Sequence, residues 1–241
     1  MIEFTFILPC LNEEKSLPFC INEISESIKK YNLNAEILVS DNGSVDDSIK
    51  IAKDLGARVT ICKDKGYGNT LINGTKNAKG KYCFMGDSDG SYDFSHLDEY
   101  IKYIREGYDL VVGNRFSGGI EKNAMPLSHK LGVKFLSWYA NLFFKTPIKD
   151  FHCGLRVYNR ESILKLNLSS PGMEYASEMI IKSKINGLKM KEVNTVLRKD
   201  LRNDKSHLKT IRDGFRHLFH ITKVFFNKKK YIVGGINEKS N

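Results

Sequence analysis

Short apolar runs alternate with amphipathic segments through the first half of the chain. Five runs have the length and composition of buried strands, at residues 4–8, 35–40, 57–62, 81–85 and 108–113. Between them, apolar positions three or four residues apart predict helices over 15–30, 46–56, 69–79 and 95–106. This alternation predicts an α/β fold with a mainly parallel central sheet and helices on both of its faces.

The second half is less regular. Its pattern predicts helices over 128–144 and 174–186, and strands over 153–158 and 190–196. A basic amphipathic helix is predicted last, over 206–227. We therefore divide the chain into a main domain, residues 1–205, and a C-terminal helix with its tail, residues 206–241.

The net charge of +10, from 38 basic and 28 acidic residues in 241, favours an anionic partner. Nucleic acid, a membrane surface and a phosphorylated substrate all qualify, and a solvated basic surface is the alternative. The basic residues concentrate late in the chain among apolar positions, without an aromatic–basic recognition motif, so we expect no nucleic-acid partner.

The cellular compartment is indicated by the cysteines and the N-terminus. The five cysteines lack CxxC spacing, which predicts buried thiols in a reducing compartment. The segment MIEFTFILPCLNEE lacks the basic start of a signal peptide, and no apolar stretch approaches the roughly 20 residues of a spanning helix. We expect a cytoplasmic protein.

Polar and glycine-rich segments follow each of the five predicted strands. They are PCLNEE (9–14), DNGSVDDS (41–48), KDKGYGN (63–69), GDSDGSYD (86–93) and GNRFSGG (113–119). Any one of them can be an ordinary turn. Because ligands bind beyond the carboxyl ends of parallel strands, the five together predict a site at that edge of the sheet.

Asp87 and Asp89 follow the fourth strand as a D-x-D pair. A turn after Asp87 can bring both carboxylates onto one hard divalent cation, which prefers oxygen ligands and often binds through carboxylates and substrate phosphates. The alternative for this pair is a polar turn that ends the strand. The sequence at this point allows both.

An ordered set of motifs resembles the family-two inverting glycosyltransferases, which have the GT-A fold. The motifs are ILPCLNEE (7–14), VSDNGSVDDS (39–48), KGYGNTLINGTKNAKGKYCFMGDSDGSYDF (65–94), VVGNRFSGGIEKNAMP (111–126), DFHCGLRVYNRE (150–161), GMEYASEMIIKS (172–183) and SHLKTIRDGFRHL (206–218). The branch they resemble most is that of the polyprenyl-phosphate (dolichol-phosphate) glucosyl- and mannosyltransferases. The QxxRW motif of processive polysaccharide synthases is absent.

The resemblance implies a role for individual residues of the predicted site. Nucleotide contacts are implied for Pro9, Asn12, Glu13, Asp41, Gly66, Gly68 and Asp87. Contacts to the acceptor phosphate are implied for Arg115, His129, Arg202, Lys205 and His207. Asp87 and Asp89 are implied as ligands of Mg²⁺ or Mn²⁺. Ser91 stands where many relatives have a glutamine that also reaches the metal.

The implied reaction moves a sugar from a nucleotide-diphosphate sugar to a polyprenyl phosphate. A UDP-sugar is the favoured donor and GDP-mannose the alternative. Since a lipid phosphate is already an anion, its site needs mainly cations, for which Arg115, Arg202 and Lys205 are suited. A hydroxyl acceptor on a glycan or small molecule would need a general base. Asp93 is the candidate base, or else the cap of the helix predicted from residue 95. A non-catalytic nucleotide-binding module is the third alternative.

The C-terminal segment 208–226 carries an apolar face of leucine, isoleucine and phenylalanine beside several lysines and arginines. An interfacial helix on anionic lipid has this pattern, and so does a helix packed on the core with a solvated basic face. Because the implied acceptor is a lipid, we expect the protein to lie at the cytoplasmic face of a membrane, either directly or through a membrane-protein partner.

Overall fold

A computed structural model of the chain describes residues 1–202 and 210–233. One sheet of seven strands forms its centre, in the order β3-β2-β1-β4-β6-β5-β7. The strands are Phe4–Cys10 (β1), Ala35–Asp41 (β2), Arg58–Ile61 (β3), Tyr82–Met85 (β4), Leu110–Asn114 (β5), Arg156–Asn159 (β6) and Met190–Asn194 (β7). All neighbouring pairs are parallel except those of β6, which is antiparallel to β4 and β5. The prediction of a mainly parallel sheet is confirmed.

The helices connect and cover the strands. They are Leu17–Lys30 (α1), Ser48–Asp54 (α2), Tyr67–Asn77 (α3), Asp98–Arg105 (α4), Arg115–Gly118 (α5), Leu127–Phe144 (α6), Arg160–Lys165 (α7), Tyr175–Ile185 (α8) and Thr210–Phe226 (α9), followed by a 3₁₀ helix, Lys228–Tyr231. The short helices α5 and α7 have no counterpart in the sequence prediction, because four to six residues are too few to show a helical period. The predicted start of the last helix and the boundary at residue 205 lie outside the described residues.

The strands are buried on both faces, which explains why they read as nearly continuous apolar runs. All seven residues of β1 are buried, and the rings of Phe6 and Phe84 stack with centroids 4.7 Å apart across the β1–β4 pair. All five cysteines are buried and free, as predicted. Burial raises the pKa of the Cys10 thiol to about 11 and that of Cys20 to about 12.

The order of the strands determines where a ligand can enter. The chain proceeds from β1 through β2 to β3 on one side, and β4 then begins on the other side of β1. The connections that leave the carboxyl ends of β1 and β4 therefore run in opposite directions along the sheet. This is a topological switch point, the usual ligand site of such sheets. The two following loops contact each other here, because the Ser88 hydroxyl donates a 2.6 Å hydrogen bond to the Pro9 carbonyl.

The helix α9 packs against α6 and α8. Ile221 and Val224 of α9 are fully buried, the Tyr139 and Thr222 hydroxyls are 3.1 Å apart, and the rings of Phe143 and Phe225 lie 4.6 Å apart. Within residues 1–202 and 210–233, no helix combines the length and the apolarity that crossing a membrane requires.

Candidate active site

A cleft of about 580 Å³ opens at the switch point between β1 and β4. Loops from five regions of the chain line it, including the loops after β1, β4 and β5. Eight residues predicted from the sequence lie on its wall: Pro9, Glu13, Gly66, Asp87, Asp89, Arg115, His129 and Arg202. The structure thus brings together side chains that are up to 193 positions apart in the chain, since the first is Pro9 and the last Arg202.

The carboxylate of Asp87 lies at the base of the cleft. Its Oδ1 accepts a 2.8 Å hydrogen bond from the Tyr67 hydroxyl. Burial, together with the nearby charge of Asp89, raises the pKa of Asp87 from 3.8 to about 6. A cation bound between the two carboxylates would remove the cause of this shift, because it offsets both the desolvation and the repulsion.

Asp89 is held by two neighbours on its two oxygens. Its Oδ1 accepts hydrogen bonds from the Ser91 amide, at 3.0 Å, and from the Ser91 hydroxyl, at 2.6 Å. Its Oδ2 accepts one from Arg202, whose other terminal nitrogen lies 3.1 Å from Glu13 Oε1. The guanidinium therefore bridges two carboxylates across the cleft and neutralises part of their charge.

The donor set of the cleft suits a divalent cation that is shared with a substrate. No three His, Cys, Asp or Glu residues of the described ranges converge as a complete metal site. Two carboxylates are nevertheless the usual protein contribution where a diphosphate supplies the remaining oxygens. The Nε of Arg202 is buried and has no hydrogen-bond partner in the described part of the chain, so this side chain has donor capacity left for a phosphate oxygen.

Arg115, after β5, is fixed by a carboxylate that the sequence did not single out. Its Nε and Nη2 donate to the two oxygens of Asp150, each at 2.8 Å, and its amide donates to the same carboxylate. The side chains of both residues are buried. This bidentate pair holds the guanidinium at the wall of the cleft, where a phosphate can approach it.

Replacing Asp150 with alanine is expected to lower the free energy of unfolding by about 3–5 kcal/mol, because it leaves the buried Arg115 charge without its partner. Urea denaturation measures this change. Glu3→Ala is the matched control, since it breaks the partly exposed ion pair with Arg105 and should cost about 1 kcal/mol or less. Equal losses in the two variants would contradict a supporting role for Asp150.

A second cavity, of about 340 Å³, joins the cleft at its inner end. The two share Tyr67, Asp87, Tyr92, Arg115, His129 and Met173. The outer part of the second cavity runs between α6 and α9, and its wall there is mainly apolar, with Val133, Phe135, Leu136, Phe215 and Leu218. Burial and the Arg115 charge lower the pKa of His129.

Three predicted nucleotide contacts are not among the residues that line the cleft. Asp41 is fully buried and accepts hydrogen bonds from the Gly43 and Ser44 amides. Asn12 has a positive φ of 58°, and its side chain accepts from the Val45 amide. Gly68 approaches the Ser170 carbonyl so closely that a Cβ would lie 2.1 Å from that oxygen. In this structure, their contacts stabilise the loops whose neighbouring residues line the cleft.

Asp93 also lies off the wall of the cleft. Its Oδ1 accepts from the Ser95 amide and hydroxyl and lies 2.6 Å from Arg198, and its Oδ2 lies 2.8 Å from His96. These partners outweigh burial and lower its pKa. The expectation that Asp93 caps a helix from residue 95 is wrong, because α4 begins at Asp98 and Asp93 closes a turn before it. Lys205 and His207, the remaining predicted phosphate contacts, lie outside the described residues.

The residues that the sequence did not reveal are mostly uncharged or distant partners. Tyr67, Tyr92 and Met173 line both cavities, and the Tyr92 hydroxyl accepts a 2.6 Å hydrogen bond from the Gly154 amide. Tyr67 stands within the glycine-rich segment 63–69, which was the one available signal for it. Asp150 begins the motif DFHCGLRVYNRE, but nothing local indicates its pairing with Arg115.

Residues 5–166 match the model of the family described as glycosyl transferase family 2. The low-salt glycan biosynthesis hexosyltransferase Agl6 of Haloferax volcanii is 33% identical over 214 residues, which are 88% of this chain and 51% of Agl6. The uncharacterized protein MJ1222 of Methanocaldococcus jannaschii is 34% identical over 203 residues, 79% of each chain. The present chain thus spans about half the length of Agl6.

Solved structures with the same fold include mannosyl-3-phosphoglycerate synthase from Rubrobacter xylanophilus, with a TM-score of 0.75 and 19% identity over 97% of this chain and 77% of that one. A second is glucosyl-3-phosphoglycerate synthase from Mycobacterium tuberculosis in complex with Mn²⁺, UDP and glucosyl-3-phosphoglycerate, with a TM-score of 0.65 and 19% identity over 93% and 77%. The predicted GT-A fold is confirmed. The chain belongs to glycosyl transferase family 2.

Proposed function

We propose that this protein transfers a hexose, with inversion, from a nucleotide-diphosphate sugar to a polyprenyl phosphate. The observation that carries the proposal is the junction of two unlike cavities at Asp87, Arg115 and His129. One is a charged cleft suited to a diphosphate, and the other is an apolar channel suited to a hydrocarbon chain. A lipid phosphate matches this junction, because its phosphate suits the charged groups and its hydrocarbon tail suits the apolar channel.

The donor lies in the larger cleft in this proposal. Its diphosphate approaches Asp87 and Asp89, which would hold Mg²⁺ or Mn²⁺, and the bound ion would offset the negative charge that develops on the leaving group. Arg202 supplies a further positive charge from the opposite wall. The complex of glucosyl-3-phosphoglycerate synthase with Mn²⁺ and UDP supports a UDP-sugar as the donor, and GDP-mannose remains the alternative.

The acceptor phosphate lies against Arg115 and His129. One of its oxygens attacks C1 of the sugar, the new C–O bond forms, and the bond from C1 to the diphosphate oxygen breaks. The phosphate is already ionised, so this step requires no general base. The position of Asp93 fits this scheme, because its carboxylate lies off the wall of the cleft and is paired with Arg198 and His96.

A small phosphorylated acceptor is the second candidate. The names of two structural neighbours, the glucosyl- and mannosyl-3-phosphoglycerate synthases, describe sugar transfer to such a compound. Arg115 and His129 are equally suited to its phosphate. The apolar channel distinguishes the two candidates, because a three-carbon acid leaves it empty.

Transfer assays with UDP-glucose, UDP-N-acetylglucosamine and GDP-mannose, each with a short-chain polyprenyl phosphate or 3-phosphoglycerate, test the proposal. We expect product with the lipid phosphate and at least tenfold lower kcat/KM with 3-phosphoglycerate. Gly132→Leu places a side chain in the apolar channel, where an added Cβ meets no atom within 4 Å, and should lower transfer to the lipid phosphate about tenfold.

Gly132→Ala is the matched control and should retain transfer, because a methyl group leaves most of the channel open. No product from the lipid phosphate with any donor would overturn the proposed acceptor. Product from 3-phosphoglycerate that is insensitive to Gly132→Leu would establish the second candidate instead.

A further inference from the structure

The helix α6 is apolar on two faces. Val133, Leu136 and Ala140 point inward and are buried. The opposite face carries Leu127, Leu131, Phe135, Trp138 and Leu142, which are between 50% and 72% exposed. The spacing of four, four, three and four residues places these five side chains in one row along the helix.

The helix α9 presents a second row beside the first. Phe215, Phe219 and Phe226 are between 70% and 78% exposed and fall on one face of α9. Phe135 and Phe215 both line the apolar cavity, so the two rows meet at its mouth. Of the seventeen large hydrophobic side chains that are exposed among the described residues, nine belong to these two helices. We call the two rows together the apolar ridge.

The charge along the apolar ridge is predominantly positive, and Asp213, near the start of α9, is the one acidic residue in the sequences of α6 and α9. Residues 127–145 and 214–233 contain no aspartate or glutamate. They contain seven lysines, at positions 130, 134, 145, 223, 228, 229 and 230. A second copy of the chain would bring these lysines against each other, whereas an anionic lipid surface complements them.

We infer that the apolar ridge docks the protein on an anionic bilayer, with α6 and α9 lying in the interface and the apolar cavity opening toward the acyl chains. The inference deepens the proposed function, because it states the phase from which a polyprenyl chain enters the cavity. Rows of leucine and aromatic residues flanked by lysines are the pattern of interfacial helices. Trp138, the chain's single tryptophan, is the fourth of the five residues in the row on α6. Tryptophan is enriched at the level of lipid headgroups.

The single tryptophan makes the test direct. The full chain is mixed with phosphatidylcholine vesicles that contain or lack phosphatidylglycerol, and flotation is measured together with Trp138 emission. We expect binding to the anionic vesicles, a blue shift of the emission, and quenching by brominated acyl chains. Binding should weaken at high salt, because the lysines act through screened charge.

The variant Leu131→Glu/Leu142→Glu/Phe219→Glu tests the location of the surface, since none of these residues lines either cavity. It should bind anionic vesicles at least about tenfold more weakly, because each change removes apolar area from the interface and adds a repelled charge. Phe19→Glu, on α1, is the matched control at an exposed aromatic position and should bind like the unaltered protein.

Three results would overturn the inference: no vesicle binding by the unaltered protein, equal binding by the triple variant, or a dimer that the triple variant dissociates while vesicles remain unbound. The last would assign the apolar ridge to self-association. The proposed function is tested separately by transfer to the short-chain lipid phosphate in solution, where the triple variant should keep its activity. Vesicle binding without that transfer would support the docking surface and contradict the lipid phosphate as the acceptor.

Discussion

Asp89→Asn is expected to lower kcat for sugar transfer by about 10³-fold with the fold retained. The carboxylate lines the cleft in which the proposed donor diphosphate would lie, and its negative charge is what a divalent cation requires. Asparagine keeps an oxygen that accepts from the Ser91 amide, so the turn of residues 89–91 is preserved. Losing one group that stabilises developing charge in an active site typically costs about 10²–10³ in rate.

Steady-state transfer at saturating Mn²⁺ measures this effect, and electron paramagnetic resonance of free Mn²⁺ measures the accompanying loss of metal affinity. Asp93→Asn is the matched control, four residues further along the same segment and off the wall of the cleft. We expect it to change kcat less than tenfold, with thermal unfolding confirming that both variants are folded. A loss with Asp93→Asn as large as that with Asp89→Asn would identify Asp93 as a base and contradict the phosphate acceptor.

The location of the site was predictable because it depends on strand direction. Parallel strands buried on both faces leave apolar runs without a period, and each run ends at the same edge of the sheet. Residues directly after those runs, such as Pro9, Asp87 and Asp89, therefore had to lie near one another. The apolar pattern does not show in which direction an individual strand runs. Only the structure shows that β6 is antiparallel to its neighbours.

Partners that are distant in sequence were not predictable in the same way. Asp150 lies 35 residues after Arg115, on the loop before β6, and no local pattern connects the two. The same holds for Arg202, which meets Glu13 across 189 positions. Even where the sequence proposed a residue, as at Asp41, it could not show that the carboxylate is turned toward its own backbone.

The outer face of α6 shows a further limit. The apolar positions of residues 128–144 predicted a helix, but a helix with apolar residues on two faces gives no indication of which face packs on the core. Packing against α8 and α9 covers one side and leaves Leu131, Phe135 and Trp138 exposed. The sequence placed membrane contact on the C-terminal helix alone, whereas the structure gives α6 the longer exposed apolar row.

Arg202→Gln is expected to change two measured quantities in opposite directions. In the present structure the guanidinium occupies the position of a cation, since it bridges Asp89 Oδ2 and Glu13 Oε1. Removing it should tighten the binding of Mn²⁺ alone by about tenfold, because the metal no longer competes with a positive charge. Removing it should also lower kcat for transfer by about 10²-fold, because the departing diphosphate loses a cationic partner.

The opposite signs separate this role from a general loss of structure, which would weaken both metal binding and transfer. Arg198→Gln is the matched control, because Arg198 pairs with Glu23 and Asp93 away from the cleft and should alter neither quantity more than a few-fold. Measurements at pH 8 keep Asp87 ionised in both proteins, since Arg202 lowers the pKa of Asp87 and its removal raises that pKa further. Weaker Mn²⁺ binding by Arg202→Gln would contradict the competition between metal and arginine and show that Arg202 supports the metal site. An unchanged kcat for transfer would show that the arginine does not contact the diphosphate.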